Sequence, residues 1–91
     1  MLPSNQKLMA AWSYDQPPYY IMAEIIDIRN DGYIQAKGFD GMWFKPVIIL
    51  PFDQDRIDEL KAIEAMYRQK SKELTQQARQ DAKRVVFLEP F

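Results

Sequence analysis

The chain has 91 residues, with 12 Lys or Arg against 13 Asp or Glu, a formal net charge of −1, and neither histidine nor cysteine. Disulfides and cysteine-ligated metals are therefore excluded, and the commonest general base is missing. The composition argues against an enzyme and implies no cofactor. A chain of this length makes one domain, residues 1–91, and buries only roughly 60–65% of its unfolded surface.

Met1–Gln6 forms a polar leader with no basic run followed by an apolar stretch, so no signal peptide is read there. The longest apolar run is Val47–Leu50, extended by Pro46 and Pro51, far short of a membrane span. A soluble, cytoplasmic or otherwise intracellular protein with no membrane partner is expected.

Lys7–Trp12 reads as a first strand, although Leu8, Met9, Ala10 and Ala11 favour helix in isolation. Ser13–Pro18 is a loop, with Pro17 and Pro18 holding the approach to Tyr19 extended. Tyr19–Arg29 carries the strongest strand signal. Ile21, Ala23 and Ile25 share one face and Ile26 and Ile28 the other, a phase slip that predicts a bulge or sharp bend.

Asn30-Asp31-Gly32 and Asp40-Gly41 supply turns, each with a glycine for a positive backbone angle. They separate strands at Tyr33–Gly38 and Met42–Pro46, and Val47–Leu50 follows as a further strand or connection. Strands this short must curl on themselves or lie against something apolar. The fold class expected is α+β: a small, strongly bent antiparallel barrel over residues 7–52, one long helix over 54–84 and a short C-terminal strand over 85–89.

Asp53 or Asp55 caps the helix, with Asp58 and Glu59 in its first turn and Lys83 and Arg84 in its last. Its apolar stripe is Ile57, Leu60, Ile63, Met66-Tyr67, Leu74, Ala78 and Ala82, dense up to Tyr67 and thin beyond. Thirty residues of helix extend about 45 Å. The distal half therefore projects, pairs with another chain, or breaks and folds back. A homodimer through the distal helix and the Val85–Leu88 strand is the assembly considered.

Strand–Asp-Gly–strand spacing gives the first half a likeness to a known family. Ala10-Ala11-Trp12-Ser13, Tyr20 to Ile25, Asp31-Gly32, Phe39-Asp40-Gly41 and Ile49-Leu50-Pro51 together resemble a Tudor-like, SH3-like small barrel. The resemblance covers residues 7–52. It implies recognition of methylated lysine or arginine in an aromatic cage. Carried onto this chain, the cage walls fall at Trp12 and Tyr20 (or Tyr19), and the acidic partner at Asp40. Met42 stands where the family has an aromatic, with Phe39 and Trp43 as neighbours that could compensate.

The residues make a case of their own. Trp12, Tyr14, Tyr19 and Tyr20 crowd one loop, and ring faces attract cations where water is excluded. A core or lid role for Trp12 and Trp43 is the competing reading. The candidate partner-binding residues are Trp12, Tyr14, Tyr19, Tyr20, Phe39, Asp40, Met42 and Trp43. No catalytic set is assigned. Asp53-Gln54-Asp55 opens like a calcium loop without its glycine or closing Glu, so no metal site is assigned.

The expected function is a non-catalytic protein–protein interaction module or regulatory adaptor that binds a protein or peptide. The alternative is a nucleic-acid binder using the basic distal helix, where Arg68, Lys70, Lys72, Arg79, Lys83 and Arg84 face only Glu73 and Asp81. Against it, residues 1–54 carry four basic and six acidic side chains.

Overall fold

In the computed structural model, residues 7–15, 18–69 and 71–87 are described. The expectations for the Met1–Gln6 leader, for Pro17 and for the end of the terminal strand at Leu88 and Glu89 lie outside them. Five strands come first: β1 (Leu8–Tyr14), β2 (Tyr19–Ile28), β3 (Ile34–Ala36), β4 (Trp43–Phe44) and β5 (Ile48–Pro51). Helices α1 (Gln54–Tyr67) and α2 (Lys72–Phe87) follow.

The sheet is antiparallel in the order β4-β3-β2-β1-β5. It is open, which corrects the expected SH3-like barrel and, with it, the Tudor-like resemblance. β4 and β5 stand at the two edges, and among the described residues no ladder joins them. The physical reason lies in the edges themselves. β4 has two residues, Pro46 follows it at once, and Pro51 deprives β5 of an N–H. Residues 45–47 span at most roughly 14 Å between the edges, so the sheet curls without closing. Val47–Leu50, expected to cross a barrel mouth, instead contributes to the outer strand β5, paired among the described residues with β1 alone.

β1 is a strand despite its helix-favouring residues because it is hydrogen-bonded on both sides, to β2 and β5. Met9 and Ala11 face the helices, while Ala10 and Trp12 face the hollow of the curled sheet. The bulge expected in β2 falls between Ile25 and Asp27, leaving Ile26 half exposed. It also divides the strand: Tyr19–Glu24 pairs with β1, and Ile25–Ile28 pairs with β3 on the opposite edge.

Both turns form as the sequence predicts. The Met42 N–H donates to the Phe39 carbonyl at 3.0 Å across Asp40 (φ 56°) and Gly41 (φ 75°), a type I′ geometry that asks for positive φ twice. Gly32 (φ 92°) closes the other, after a Gly32 N–H to Arg29 carbonyl bond of 2.9 Å.

Two helices replace the single long one. The Asp53 carboxylate caps α1 by accepting from the N–H groups of Asp55 (3.1 Å) and Arg56 (3.4 Å). α1 ends where its apolar stripe thins, and α2 folds back along it. Ala78 and Ala82, fully buried, let the helices approach closely, and Val86 is buried with them against Met9, Met22, Ile57, Leu60 and Ile63. The Arg56 guanidinium donates to the Val85 and Val86 carbonyls at 2.6 and 2.8 Å. It thereby satisfies the last turn of α2 and opposes its dipole. Val85–Phe87 are thus helical, which corrects the expected terminal strand. Val86 is buried between helix and sheet, while Phe87 is 37% exposed.

Candidate functional site

The curl of the sheet, the segment from Lys37 to Phe44 and helix α1 enclose a groove of about 680 Å³. One wall is aromatic. Trp12 stacks on Phe44 with centroids 4.5 Å apart and planes 15° apart, and meets Phe39 edge-on at 5.1 Å. These contacts hold the 37–44 segment over the sheet, with Met42 at the lip. The facing wall is Phe52 with Ile57 and Leu60 of α1. The floor is Ile21, Met22 and Ala23 of β2. Phe52 and Ile57 flank the Asp53 cap at the positions of a hydrophobic staple, which fixes where the chain enters α1.

Charge lies at the rim. Lys37 stands on the sheet side and Lys61 on the helix side, both exposed and in no ion pair among the described residues. Glu64 and Arg68 hold each other at 3.5 Å, and Glu24 is the remaining acid. A mainly apolar channel with unneutralised lysines on opposing walls suits an apolar partner carrying a carboxylate.

The expected aromatic patch is divided. Trp12 (3% exposed), Phe39 and Met42 (58% exposed) line the groove. Tyr19 is fully buried and stacks on Tyr67 at 4.0 Å, and Tyr20 meets Phe87 of α2 edge-on at 5.4 Å, both in the helix-side core. Tyr14 ends β1 opposite Tyr19. Asp40 is exposed in its turn. Trp43 lies under the Arg29 guanidinium at 5.0 Å, which also covers Tyr33 at 4.8 Å. Arg29 is held by Asp31 at 2.6–3.0 Å, and that hydrogen bond raises the Arg29 pKa and lowers that of Asp31.

Sequence reasoning missed Phe44, Phe52, Ile57, Leu60, Lys37 and Lys61 as groove residues. The staple pattern around Asp53 was a signal for Phe52 and Ile57. The lysines carried none, because only the fold-back of the 37–44 segment sets them across from one another.

A second, smaller cleft of about 200 Å³ lies between Pro18, Tyr20 and the α2 residues Arg79, Gln80 and Lys83. Beside it, the Tyr67 hydroxyl donates to the Asp15 carboxylate, while the Arg79 guanidinium lies 5.5 Å from the Tyr67 ring centre. The bond to Asp15 is the largest cause of a raised Tyr67 pKa, followed by burial.

No helix among the described residues is long and apolar enough to cross a membrane. Comparison with known proteins finds no matching family model, no matching curated protein and no matching solved structure. The functional reading therefore stands on the groove.

Proposed function

We propose that the chain is a non-catalytic protein-interaction module that holds a short segment of another protein in the groove between α1 and the 37–44 segment. The supporting observation is the groove itself: aromatic on one side, aliphatic on the other, with Lys37 and Lys61 at its rim. Central apolar anchoring inside a charged border is the usual anatomy of a peptide-binding surface. Of the Leu74, Ala78 and Ala82 stripe expected to pair two chains, Ala78 and Ala82 are buried within this one and Leu74 is 38% exposed, so the reading rests on the groove and not on a dimer.

The test compares two exposed or half-exposed positions in titrations of peptides selected on the unmodified chain. Met42→Arg, at the groove lip, is expected to weaken binding about tenfold or more. Tyr20→Ala, in the separate cleft beside α2, is expected to leave binding unchanged. The reverse pattern would move the site to the α2 cleft and sink the reading.

Nucleic-acid binding through α2 is the weaker alternative. Arg84 is ion-paired with Asp81 at 3.2 Å and Arg79 lies over Tyr67, so two of the helix's cations are already engaged. Affinity for single strands that falls steeply with salt would support this alternative.

A further inference from the structure

We propose that the groove takes its partner as an added β-strand: an extended segment of another protein, three or four consecutive apolar residues beside an acidic one, laid along the edge of β2 at Met22. This deepens the interaction reading above and depends on it.

The hydrogen-bond pattern of the sheet identifies the edge. In an antiparallel ladder the N–H and C=O of one residue point to the same side, and the side alternates along the strand. Phe52 N–H donates to the Lys7 carbonyl at 3.2 Å and Val47 N–H to the Ala11 carbonyl at 2.8 Å, so odd residues of β1 turn to β5 and even ones to β2. Through the pairs Trp12–Ile21 and Ala10–Ala23, Ile21 and Ala23 therefore bond to β1. Met22 points its N–H and C=O the other way. Glu24 does so too, and its carbonyl accepts from Lys37 N–H at 2.9 Å. Beyond that bond the chain leaves β2 at Gly38 (φ 90°), and the groove opens along Met22.

Met22 is 6% exposed, yet its outward N–H and C=O have no partner among the described residues. Backbone groups in such a place call for partners. A helix laid in the groove has no main-chain groups to give, whereas an extended strand supplies one donor and one acceptor. Side chains of an added strand alternate between its faces. One set would meet Trp12, Phe39 and Phe44, and the other Ile57 and Leu60, so both sets must be apolar. Lys37 and Lys61 then select a carboxylate at the end of the run.

The test begins with a displayed library of random octapeptides selected on the full chain. The strongest binder is then titrated into isotope-labelled protein. The expected consensus is an apolar run flanked by Asp or Glu. The Met22 amide should shift and exchange more slowly on binding, while the Ile21 and Ala23 amides stay protected throughout. Methylating the peptide nitrogens one at a time should cost about tenfold or more in affinity at the residue facing Met22 and far less at its neighbours. Lys37→Glu and Lys61→Glu should each weaken binding roughly threefold or more at low salt.

A binder that shifts Phe39 and Leu60 but is indifferent to nitrogen methylation overturns strand addition and leaves the interaction reading standing. No enriched peptide, or peptides that shift only α2, overturns both. Concentration-dependent shifts of Met22 without peptide would make a second copy of the chain the occupant. Shifts on removing residues 88–91 would make it the chain's own terminus. Either result overturns the foreign segment.

Discussion

The two halves of β2 pair on opposite sides, with β1 before the bulge and with β3 beyond it, and the chain treats the side left to each differently. Beyond the bulge, Arg29 N–H bonds the Tyr33 carbonyl at 2.7 Å, so Ile28 points away from β3. Its N–H is taken at 2.8 Å by the carboxylate of its own neighbour, Asp27. Before the bulge, Met22 points away from β1 into the groove, and no side chain among the described residues answers it. An open edge invites pairing with any passing strand, and a charged side chain turned onto it is one natural defence. The defended half lies on the outside. The undefended half is recessed between α1 and the aromatic wall, where a single strand can enter and a second sheet cannot.

The largest expected effect is in amide exchange of the free protein. Ile21 and Ala23 should exchange only through cooperative opening of the sheet, and Met22 between them should exchange roughly a thousandfold faster or more. Uniform protection from Ile21 to Ala23 would erase the distinction between the halves.

Trp12→Ala attacks the wall that makes the groove. The ring is buried and stacked on Phe44, and its loss should cost about 3–5 kcal/mol, read from denaturant unfolding. In a partly denatured sample that still holds its helices by circular dichroism, the Phe39 and Phe44 resonances should move most. A cost under about 1 kcal/mol would mean that the 37–44 segment is held by something other than the stack.

Much of this arrangement was legible in the sequence, and the misses share a cause. The turns at Asn30-Asp31-Gly32 and Asp40-Gly41, the bulge near Ile25-Ile26, the strand at Tyr19 and the Asp53 cap are all local matters of backbone angle or short-range hydrogen bonding. The closure of the sheet is not local: it depended on whether β4 and β5 would pair, and Pro46 and Pro51 weigh against that only once the two are known to be edges. The helix break was legible only as one of three outcomes for the distal half. Arg68 to Glu73 holds good helix formers, and α2 turns back because Ala78, Ala82 and Val86 find α1 and the sheet to bury against. The aromatic patch was misjudged in the same way. Tyr19 and Tyr20 adjoin Trp12 in sequence, but they join the helix-side core while Trp12 faces the hollow.

Arg56→Met asks whether the helical wall depends on the fold-back. Methionine keeps the length and loses both bonds to the Val85 and Val86 carbonyls. Charge-assisted bonds of this kind support a loss of about 1.5–3 kcal/mol. Fraying should appear first at the end of α2. The outward Met22 amide reports how far that fraying spreads, because the Met22 side chain is buried with Val86 in the helix-side core. If Met22 and Phe87 respond together, the groove and the helix pair form one cooperative unit.

The smallest effect concerns the far end of the same strand. Tyr67 stacks on Tyr19, at the start of the undefended half of β2, and its hydroxyl donates to Asp15 in the β1–β2 connection. That bond, with burial and the Asp15 charge behind it, raises the Tyr67 pKa above its ordinary value near 10. The folded state therefore favours the neutral phenol. Its stabilising contribution is complete below about pH 10 and is lost as pH rises through the elevated folded pKa. Tyr67→Phe keeps the stack and removes the titration. It should cost about 0.5–1.5 kcal/mol at neutral pH, and the variant should converge on the unmodified protein above pH 10. The check is denaturant unfolding at pH 7 and above pH 10. A gap that persists at high pH would place the value of Tyr67 in its packing on Tyr19 and not in its grip on Asp15.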